Sequence, residues 1–480
     1  MAQPVGYGLG KVGSLKPMWR DVLLGVLAVI VGGSVASLSV HGLTSLAMHF
    51  LGWLTFIILL WIFEVIPAGV AGLLFMLGAT YLHFAPPALA FSGFTNPVLW
   101  LIVAGLGLGA AANESGLGKR LAYLMLKRIR GDRPGHLLFM LLVVGAVLTQ
   151  MIPTVFGRLA ILLPIGIGLA KTLGIQKGSR YGKFLMAAIF FASSGPYLMT
   201  MTGFEPTLAA IASLAHAGHP IYWDQYFIMW VVPGFFLTSF LFYGVTMLLF
   251  KPRSEELVAI DVDHVREELA RLGPMSKREL KVLIVFALVV LFWMTGSLTH
   301  FPPTTIAILG LVALFLPGIE ALSPAELMKN MSIVNIIFFA AALSIGPLLG
   351  HLNLITAFGH LMRQYLPGKH LDFATSFWLG ALVQILHVPM STVTATMATV
   401  SPIFEHYAVA QHLNPVTITW IVVASGSAYF LPYQNEPLLM AYGEGYWSMG
   451  DMIKLGSLIS LATLILVPLF TVTWWAWTVH

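Results

Sequence analysis

Long apolar runs separated by short polar stretches make up most of this chain. Many of the runs approach the ~20 residues that a helix needs to cross the hydrocarbon core of a bilayer. The run at 22–40 follows a basic segment, shows no cleavage site before a soluble domain, and is expected to be the first span. The pattern predicts an all-α polytopic membrane protein with about 11 transmembrane helices.

Two of the apolar runs, at 184–215 and 416–442, are interrupted in the same way. In each, a Ser-Gly pair is followed by a Glu-Pro pair, and the step from Gly195 to Glu205 equals the step from Gly426 to Glu436. Matched, helix-breaking interruptions in two halves of a membrane protein indicate the binding site of a transporter. The sequence therefore predicts a site at these two breaks.

Two further runs are split near their middle by Pro and hydroxyl residues. Short apolar limbs at 136–152 and 159–170 flank residues 153–158, and limbs at 373–388 and 395–408 flank residues 390–394. A break at membrane depth is tolerated only where it is buried in protein or lines a cavity. We therefore expect two re-entrant hairpins, at about 136–172 and 373–410.

The order of these elements repeats along the chain. The expected division is an N-terminal tail and first span at 1–40, a first repeat at 41–250, a polar linker at 251–281 and a second repeat at 282–480. The linker is rich in both acids and bases, which is typical of a solvated segment.

The distribution of basic residues indicates that the two repeats are inverted. The connection at 119–133 carries Lys119, Arg120, Lys127, Arg128, Arg130 and Arg133, whereas its counterpart at 352–371 carries Arg363 and Lys369. Short cytoplasmic loops collect Lys and Arg. Equivalent loops should therefore face opposite sides, with the N-terminus and the linker inside the cell.

Composition supports the membrane class and excludes others. The chain is 58% hydrophobic and 9% charged, whereas soluble domains are nearer a quarter charged. It has no cysteine, so thiolate metal sites and disulfides are excluded. Its net charge of +5 does not indicate nucleic-acid binding, because the basic residues lie beside the spans.

Several stretches together resemble the divalent anion/sodium symporters, the DASS family of the ion-transporter superfamily. Residues 63–67 resemble the family's Thr-Glu-Ala-Ile-Pro, and residues 116–122 resemble its Gly-Leu-x-Lys-Arg motif. Residues 392–396 with Pro402 resemble its Ser-Asn-Thr-Ala-Thr hairpin, residues 154–158 with Pro164 resemble the first copy, and residues 202–207 resemble Thr-Gly-Thr-Pro-Pro-Asn. The resemblance spans nearly the whole chain.

The resemblance implies a homodimer in which each protomer has a scaffold domain and a moving transport domain, working as an elevator. It implies import of di- or tricarboxylates or sulfate, usually coupled to Na⁺. It places substrate binding at the hairpin tips and unwound loops, here Thr154, Val155, Arg158, Thr202, Gly203, Thr392, Val393, Thr394, Gln434 and Asn435. It places cation coupling, with Na⁺ bound at the same loops, at Ser194, Gly195, Glu205, Ser425, Gly426 and Glu436.

The chain departs from the family pattern at these positions. Val155 and Val393 replace the Asn of both Ser-Asn-Thr motifs, Glu205 and Glu436 replace a Pro, and Arg158 stands where the family has Thr. Half-helix termini offer free N–H groups to an anion and free carbonyls to a cation, so the backbone can still bind both. The loss of the two Asn side chains, however, removes amide donors that would discriminate one anion from another.

The charged substitutions each have two interpretations. A charge at membrane depth is costly and is normally paired or functional, so Arg158 either binds a carboxylate bidentately, or forms an internal salt bridge, for example with Glu205, or extends to the cytoplasmic interface. The two glutamates either couple Na⁺ or H⁺ or cap free helix ends. Gln434 and Asn435 are candidates to replace the lost amides. His387 is interpreted as a hydrogen-bonded structural histidine rather than a proton relay.

The sequence favours a secondary active transporter of a small anion, a di- or tricarboxylate, coupled to Na⁺ or H⁺ as symporter or exchanger. The expected location is the bacterial cytoplasmic membrane, with the N-terminus inside. A cation/proton or metalloid exchanger of the same superfamily is the main alternative, because the anion-reading Asn residues are absent. An ion channel or an intramembrane enzyme fits less well: His387 and Ser391 have no orienting acid nearby, and an inverted repeat serves no purpose in an enzyme.

Overall fold

The computed structural model describes residues 17–40, 42–63, 65–127, 134–152, 154–253, 256, 262–357, 370–388, 390, 393–431 and 434–479. Within these ranges all regular secondary structure is helical, which confirms the all-α fold class. Among the described residues, six helical segments are long and apolar enough to cross a membrane: Trp19–Ser37, Pro97–Glu114, Pro134–Met151, Trp223–Phe250, Ile333–His351 and Met449–Thr478. Shorter apolar helices, such as Ser45–Trp61 and Phe373–His387, lie between them.

The helices of the first half follow in chain order. They are α1 (Pro17–Ser37), α2 (Ser45–Phe63), α3 (Ala68–Tyr81), α4 (Pro87–Ala90), α5 (Pro97–Glu114), α6 (Leu117–Leu126), α7 (Pro134–Met151), α8 (Val155–Thr172), α9 (Arg180–Ser194), α10 (Glu205–His216), α11 (Trp223–Phe235) and α12 (Leu241–Phe250). A 3₁₀ turn, Ser92–Thr95, precedes α5, a second, Gly195–Met199, follows α9, and a π-helical turn, Phe236–Phe240, joins α11 to α12.

The linker and second half complete the chain. Their helices are α13 (Val262–Arg271), α14 (Lys277–Met294), α15 (Gly296–Thr299), α16 (Pro303–Ala313), α17 (Pro324–Asn330), α18 (Ile333–His351), α19 (Phe373–His387), α20 (Val393–Ala410), α21 (Pro415–Gly426), α22 (Glu436–Gly443), α23 (Met449–Phe470) and α24 (Ala476–Thr478). A π-helical turn, Thr471–Trp475, joins the last two.

Equivalent helices of the two halves pack in equivalent ways. Both limbs of the first helical pair, α7 and α8, pack on α9, and both limbs of the second pair, α19 and α20, pack on α21. Beyond each break the chain crosses over, because α10 packs on α20 and α22 packs on α8. The two breaks are therefore held inside one bundle built from both halves.

Close backbone contacts hold this bundle together. A Cβ added to Gly145 in α7 would lie 1.9 Å from the carbonyl oxygen of Ala192 in α9, so only glycine permits this crossing. The large apolar cluster of the molecule runs through the helical pairs and the interrupted helices. A second cluster joins α2, α3 and α18, and α1 packs mainly on α2.

The polar linker is anchored to the bundle by one buried side chain. Arg120 of α6 donates to Glu279 (2.6 Å) and to the carbonyls of Leu272, Gly273 and Pro274. Its side chain is only 8% exposed. Because Ser276 and Glu279 form a capping box, α14 begins at Lys277. The helix therefore starts inside the linker that the sequence predicts at 251–281.

Candidate functional site

Arg158 lies on the first turn of α8, directly after the tip of the first helical pair. Thr154 caps this helix by accepting a hydrogen bond from the amide of Gly157 (2.9 Å), and Val155 is its first residue. This cap orients the first turn, so that the Arg158 side chain extends towards α9 and is fully buried.

The guanidinium of Arg158 is bound by backbone carbonyls. Nε donates to the Ser193 oxygen (2.6 Å), and Nη1 donates to the oxygens of Ile152 (2.5 Å) and Gly203 (3.0 Å). Two of these carbonyls lie at the C-terminal ends of α9 and α7, where free carbonyls carry partial negative charge. Arg158 therefore occupies the kind of position in which helix ends bind a cation.

The described contacts of Arg158 combine backbone hydrogen bonds with an acidic neighbour. Its hydrogen bonds go to carbonyls, and Glu205, the first residue of α10, contributes an electrostatic interaction. Its remaining nitrogen, Nη2, has no hydrogen-bond partner among the described residues. The side chain therefore combines a structural role with one unused donor.

The first repeat does not fit a Na⁺ ion at these carbonyls. A cation there would need the oxygens of Ile152, Ser193 and Gly203, and the guanidinium already uses all three. Two positive charges in one buried site repel each other strongly. The residues present therefore do not hold Na⁺ at this position.

The second repeat places a histidine ring in the corresponding position. His387 ends α19, is fully buried, and its Nδ1 lies 3.0 Å from the Thr396 hydroxyl. Aligning the two tips pairs Thr396 with Arg158, and aligning the two breaks pairs Gln434 with Gly203. The ring lies beside the backbone of Gln434, as Arg158 lies beside that of Gly203.

The two breaks meet in the centre of the bundle. The Tyr197 side chain, from the first break, interacts with the side chain of Ser427, from the second. The Tyr197 ring packs on Phe204 with 4.2 Å between centroids. Tyr226 of α11 fixes the first break from outside by donating to the Leu198 oxygen (3.0 Å).

Several buried polar atoms near these breaks have no hydrogen-bond partner within the described ranges. Those with a hydrogen-bond donor include Arg158 Nη2, Thr200 Oγ1, Ser425 Oγ, Tyr429 Oη and Gln434 Nε2. All can donate, and burying an unsatisfied donor is costly. A set of unused donors fits an anionic ligand that accepts hydrogen bonds.

Other residues assigned from the sequence already have partners. Thr202 accepts from Trp223 Nε1 (3.4 Å), Ser194 donates to Phe190 of its own helix (2.7 Å), and Asn435 caps α22 by accepting from the amide of Leu438 (3.3 Å). The Gln434 oxygen accepts from the amides of Phe430 and Leu431. These bonds hold the loops in shape.

The remaining assigned residues are placed as follows. Gly195 begins the 3₁₀ turn after α9, Gly426 ends α21, and Val393 and Thr394 begin α20. Glu205 and Thr202 line a small cavity of about 20 Å³ together with Gln150. Thr392 and the side chain of Glu436 lie outside the described residues.

Sequence reasoning missed two polar residues of this region. Tyr197 gave no signal, because a tyrosine in an apolar run is usually a packing residue. Glu405 lies inside the limb expected at 395–408 but was assigned no role, and α20 carries it and continues to Ala410. An acid inside an apolar helical run was the available signal.

Comparisons with known proteins agree with this architecture. A membrane protein of Cupriavidus necator is 26% identical, over 91% of this chain and 89% of its own. The putative malate transporter YflS of Bacillus subtilis (80% and 81% covered) and the L-tartrate/succinate antiporter of Escherichia coli K12 (80% and 80% covered) are each 25% identical. The crystal structure of the Alcanivorax borkumensis YdaH transporter is similar in fold, with a TM-score of 0.56 and 16% identity, over 96% of this chain and 99% of that one.

The family assignment covers almost the entire chain. Residues 18–480 match the family described as the sodium:sulfate symporter transmembrane region. The protein is thus a multi-pass membrane transporter and not an enzyme. It belongs to the sodium:sulfate symporter family, the divalent anion/sodium symporters that its sequence motifs resemble.

Proposed function

We propose that this protein exchanges one dicarboxylate for another across the bacterial cytoplasmic membrane, without coupling to Na⁺. The substrate binds between the two breaks and the two hairpin tips. The side chains assigned from the sequence, together with Tyr197 and Tyr429, line this position. The protein works as a homodimer. In each protomer the two helical pairs and the interrupted helices packed on them, here called the hairpin bundle, move together as an elevator.

The carbonyl-bound guanidinium of Arg158 carries this proposal. A coupling cation leaves with its substrate, so that the empty carrier returns without it. Arg158 cannot leave, so the empty carrier retains a buried positive charge. The carbonyls and Glu205 compensate this charge in part, but moving it through the membrane without a bound anion is costly. An anionic substrate compensates that charge, so the loaded carrier moves in both directions, which is exchange.

The donors and the relatives support the substrate class. The unused donors of Arg158, Ser425, Tyr429 and Gln434 match the acceptor oxygens of a carboxylate. Two relatives carry the names putative malate transporter and L-tartrate/succinate antiporter. Both names refer to small dicarboxylates, and the second to exchange.

Uptake into proteoliposomes tests the proposal. Vesicles with purified protein are either empty or preloaded with unlabelled succinate, and labelled succinate is added in choline buffer. We expect uptake only into the preloaded vesicles. Uptake into empty vesicles driven by a Na⁺ gradient would overturn exchange in favour of symport. No uptake of succinate, malate or tartrate under any condition would reject the substrate class.

A further inference from the structure

A buried carboxyl outside the proposed substrate site faces a large cavity. Glu405, in the second limb of the second helical pair, is only 2% exposed. It lies about 18 Å along α20 from the tip, at 1.5 Å per residue. It is one wall residue of a cavity of about 480 Å³. Nothing in the proposed exchange step uses it.

The hydrogen bonds of Glu405 connect both halves of the chain. Oε2 accepts from the Ser213 hydroxyl of α10 (2.5 Å), and Oε1 accepts from the Thr419 hydroxyl of α21 (2.9 Å). Among the described residues no lysine or arginine forms an ion pair with it. Two neutral hydroxyls compensate an ionised buried carboxylate poorly, whereas a protonated carboxyl is accommodated without a counter-charge.

Among the described side chains, few titratable groups surround Glu405. On its own helix, His406 faces the same cavity and Tyr407 is buried beside it. α21, α4 and the 3₁₀ turn before α5 contain no titratable side chain. α10 carries Glu205 and His216 only at its two ends, His387 of α19 contacts Thr396, and His351 lies at the exposed end of α18.

The cavity lies between the hairpin bundle and the helices that pack around α18. One wall comes from α10 and α20, which belong to the bundle around the breaks, and includes Ser213 and Pro402. The opposite wall comes from α18 and the segment before α5, and includes Leu343, Pro347 and Asn96. Movement of the bundle along α18 would change the surroundings of the Glu405 carboxyl.

We propose that Glu405 is a proton-binding site that controls how fast the hairpin bundle moves against α18. This inference rests on the exchange function proposed above. When the carboxyl is neutral it crosses the apolar wall of α18 at low cost. When it is ionised the bundle is held back, because an unpaired charge would face that wall. Exchange should therefore speed up as the pH falls.

Exchange at equal pH on both sides of the vesicle tests this directly. We expect the exchange rate of the wild type to rise as the pH falls. The rise should reach at most about tenfold per pH unit, as for the binding of one proton, and then level off. Glu405→Gln, which resembles the protonated carboxyl, should be fast and independent of pH over the same range. His406→Gln, which changes the other titratable group among the described residues that line the cavity, should retain the wild-type profile.

Infrared spectroscopy of the intact protein provides a readout that a structural role would not change. The carbonyl stretch of a protonated carboxylic acid should lose one component in Glu405→Gln and none in the exposed control Glu267→Gln. An unchanged band, an unchanged pH profile in Glu405→Gln, or loss of the profile in His406→Gln would each overturn the inference. If the wild type exchanges succinate at any pH, these results would overturn only the role of Glu405. If the wild type exchanges no dicarboxylate at any pH, the proposed exchange function itself would be rejected.

Discussion

Replacing Arg158 by serine should free the three backbone carbonyls that its guanidinium occupies, so that they can bind a cation. The change removes three hydrogen bonds from a charged donor to buried carbonyls, each worth about 1.5–3 kcal/mol. Part of this loss is offset, because the guanidinium no longer has to be buried. We expect a net destabilisation of about 3–5 kcal/mol, as for breaking other buried charge networks.

The assay is thermal unfolding of the purified protein in detergent, with choline, K⁺ or Na⁺ as the cation. In choline, Arg158→Ser should unfold well below the wild type, while Arg158→Lys, which keeps the charge, should lie between them. The exposed Arg180→Ser serves as the control and should stay within about 0.5 kcal/mol of the wild type.

Na⁺ should partly restore Arg158→Ser and leave the wild type unaffected. At Na⁺ concentrations about 100-fold above the dissociation constant, binding to the folded state adds about 2.7 kcal/mol. If Arg158→Ser were as stable as the wild type, the carbonyl bonds would not stabilise the fold. If Na⁺ stabilised the wild type and the variant equally, Arg158 would not occupy a cation position.

Three further changes test the packing and the linker. Arg120→Ala should lower the free energy of unfolding by about 3–5 kcal/mol, because it leaves the buried carboxylate of Glu279 unpaired. Thermal unfolding measures this, and a change below about 1 kcal/mol would contradict it. Gly145→Val should prevent folding or lower its yield, because an added Cβ lies 1.9 Å from the Ala192 oxygen; normal size-exclusion behaviour would refute it. Arg278 lowers the pKa of Glu326 to about 2, so the stability difference between wild type and Glu326→Gln should be constant above pH 5 and shrink as the pH falls towards 2.

The fold class could be predicted because it depends on periodic, one-dimensional features. At membrane depth an apolar run of bilayer length satisfies its backbone hydrogen bonds by forming a helix, and the regular secondary structure of the described residues is all helical. The family could be predicted from the order of short motifs, and residues 18–480 match it. The roles assigned to the individual site residues stay predictions.

The partners of Arg158 could not be predicted because they are backbone carbonyls. Every residue has a carbonyl, so no side-chain pattern identifies those of Ile152, Ser193 and Gly203 as the acceptors. Which of them are free depends on where α7 and α9 end in space. The sequence therefore suggested a salt bridge to Glu205 or contact with substrate.

Contacts between the two halves were equally invisible in the sequence. Glu405 accepts from Ser213, 192 positions earlier, and Tyr197 meets Ser427 across the two breaks. Both contacts depend on the crossing of α10 and α22 onto the opposite helical pairs. A repeat pattern indicates that two copies exist, but it does not determine which atoms meet.

The central claim is that the guanidinium of Arg158 takes the place of a transported cation. Uptake of radioactive sodium and labelled succinate into the same wild-type proteoliposomes tests it most directly. We predict succinate exchange with no accompanying sodium uptake, and the same rate in choline as in Na⁺. Sodium entering in fixed proportion to succinate would contradict the account.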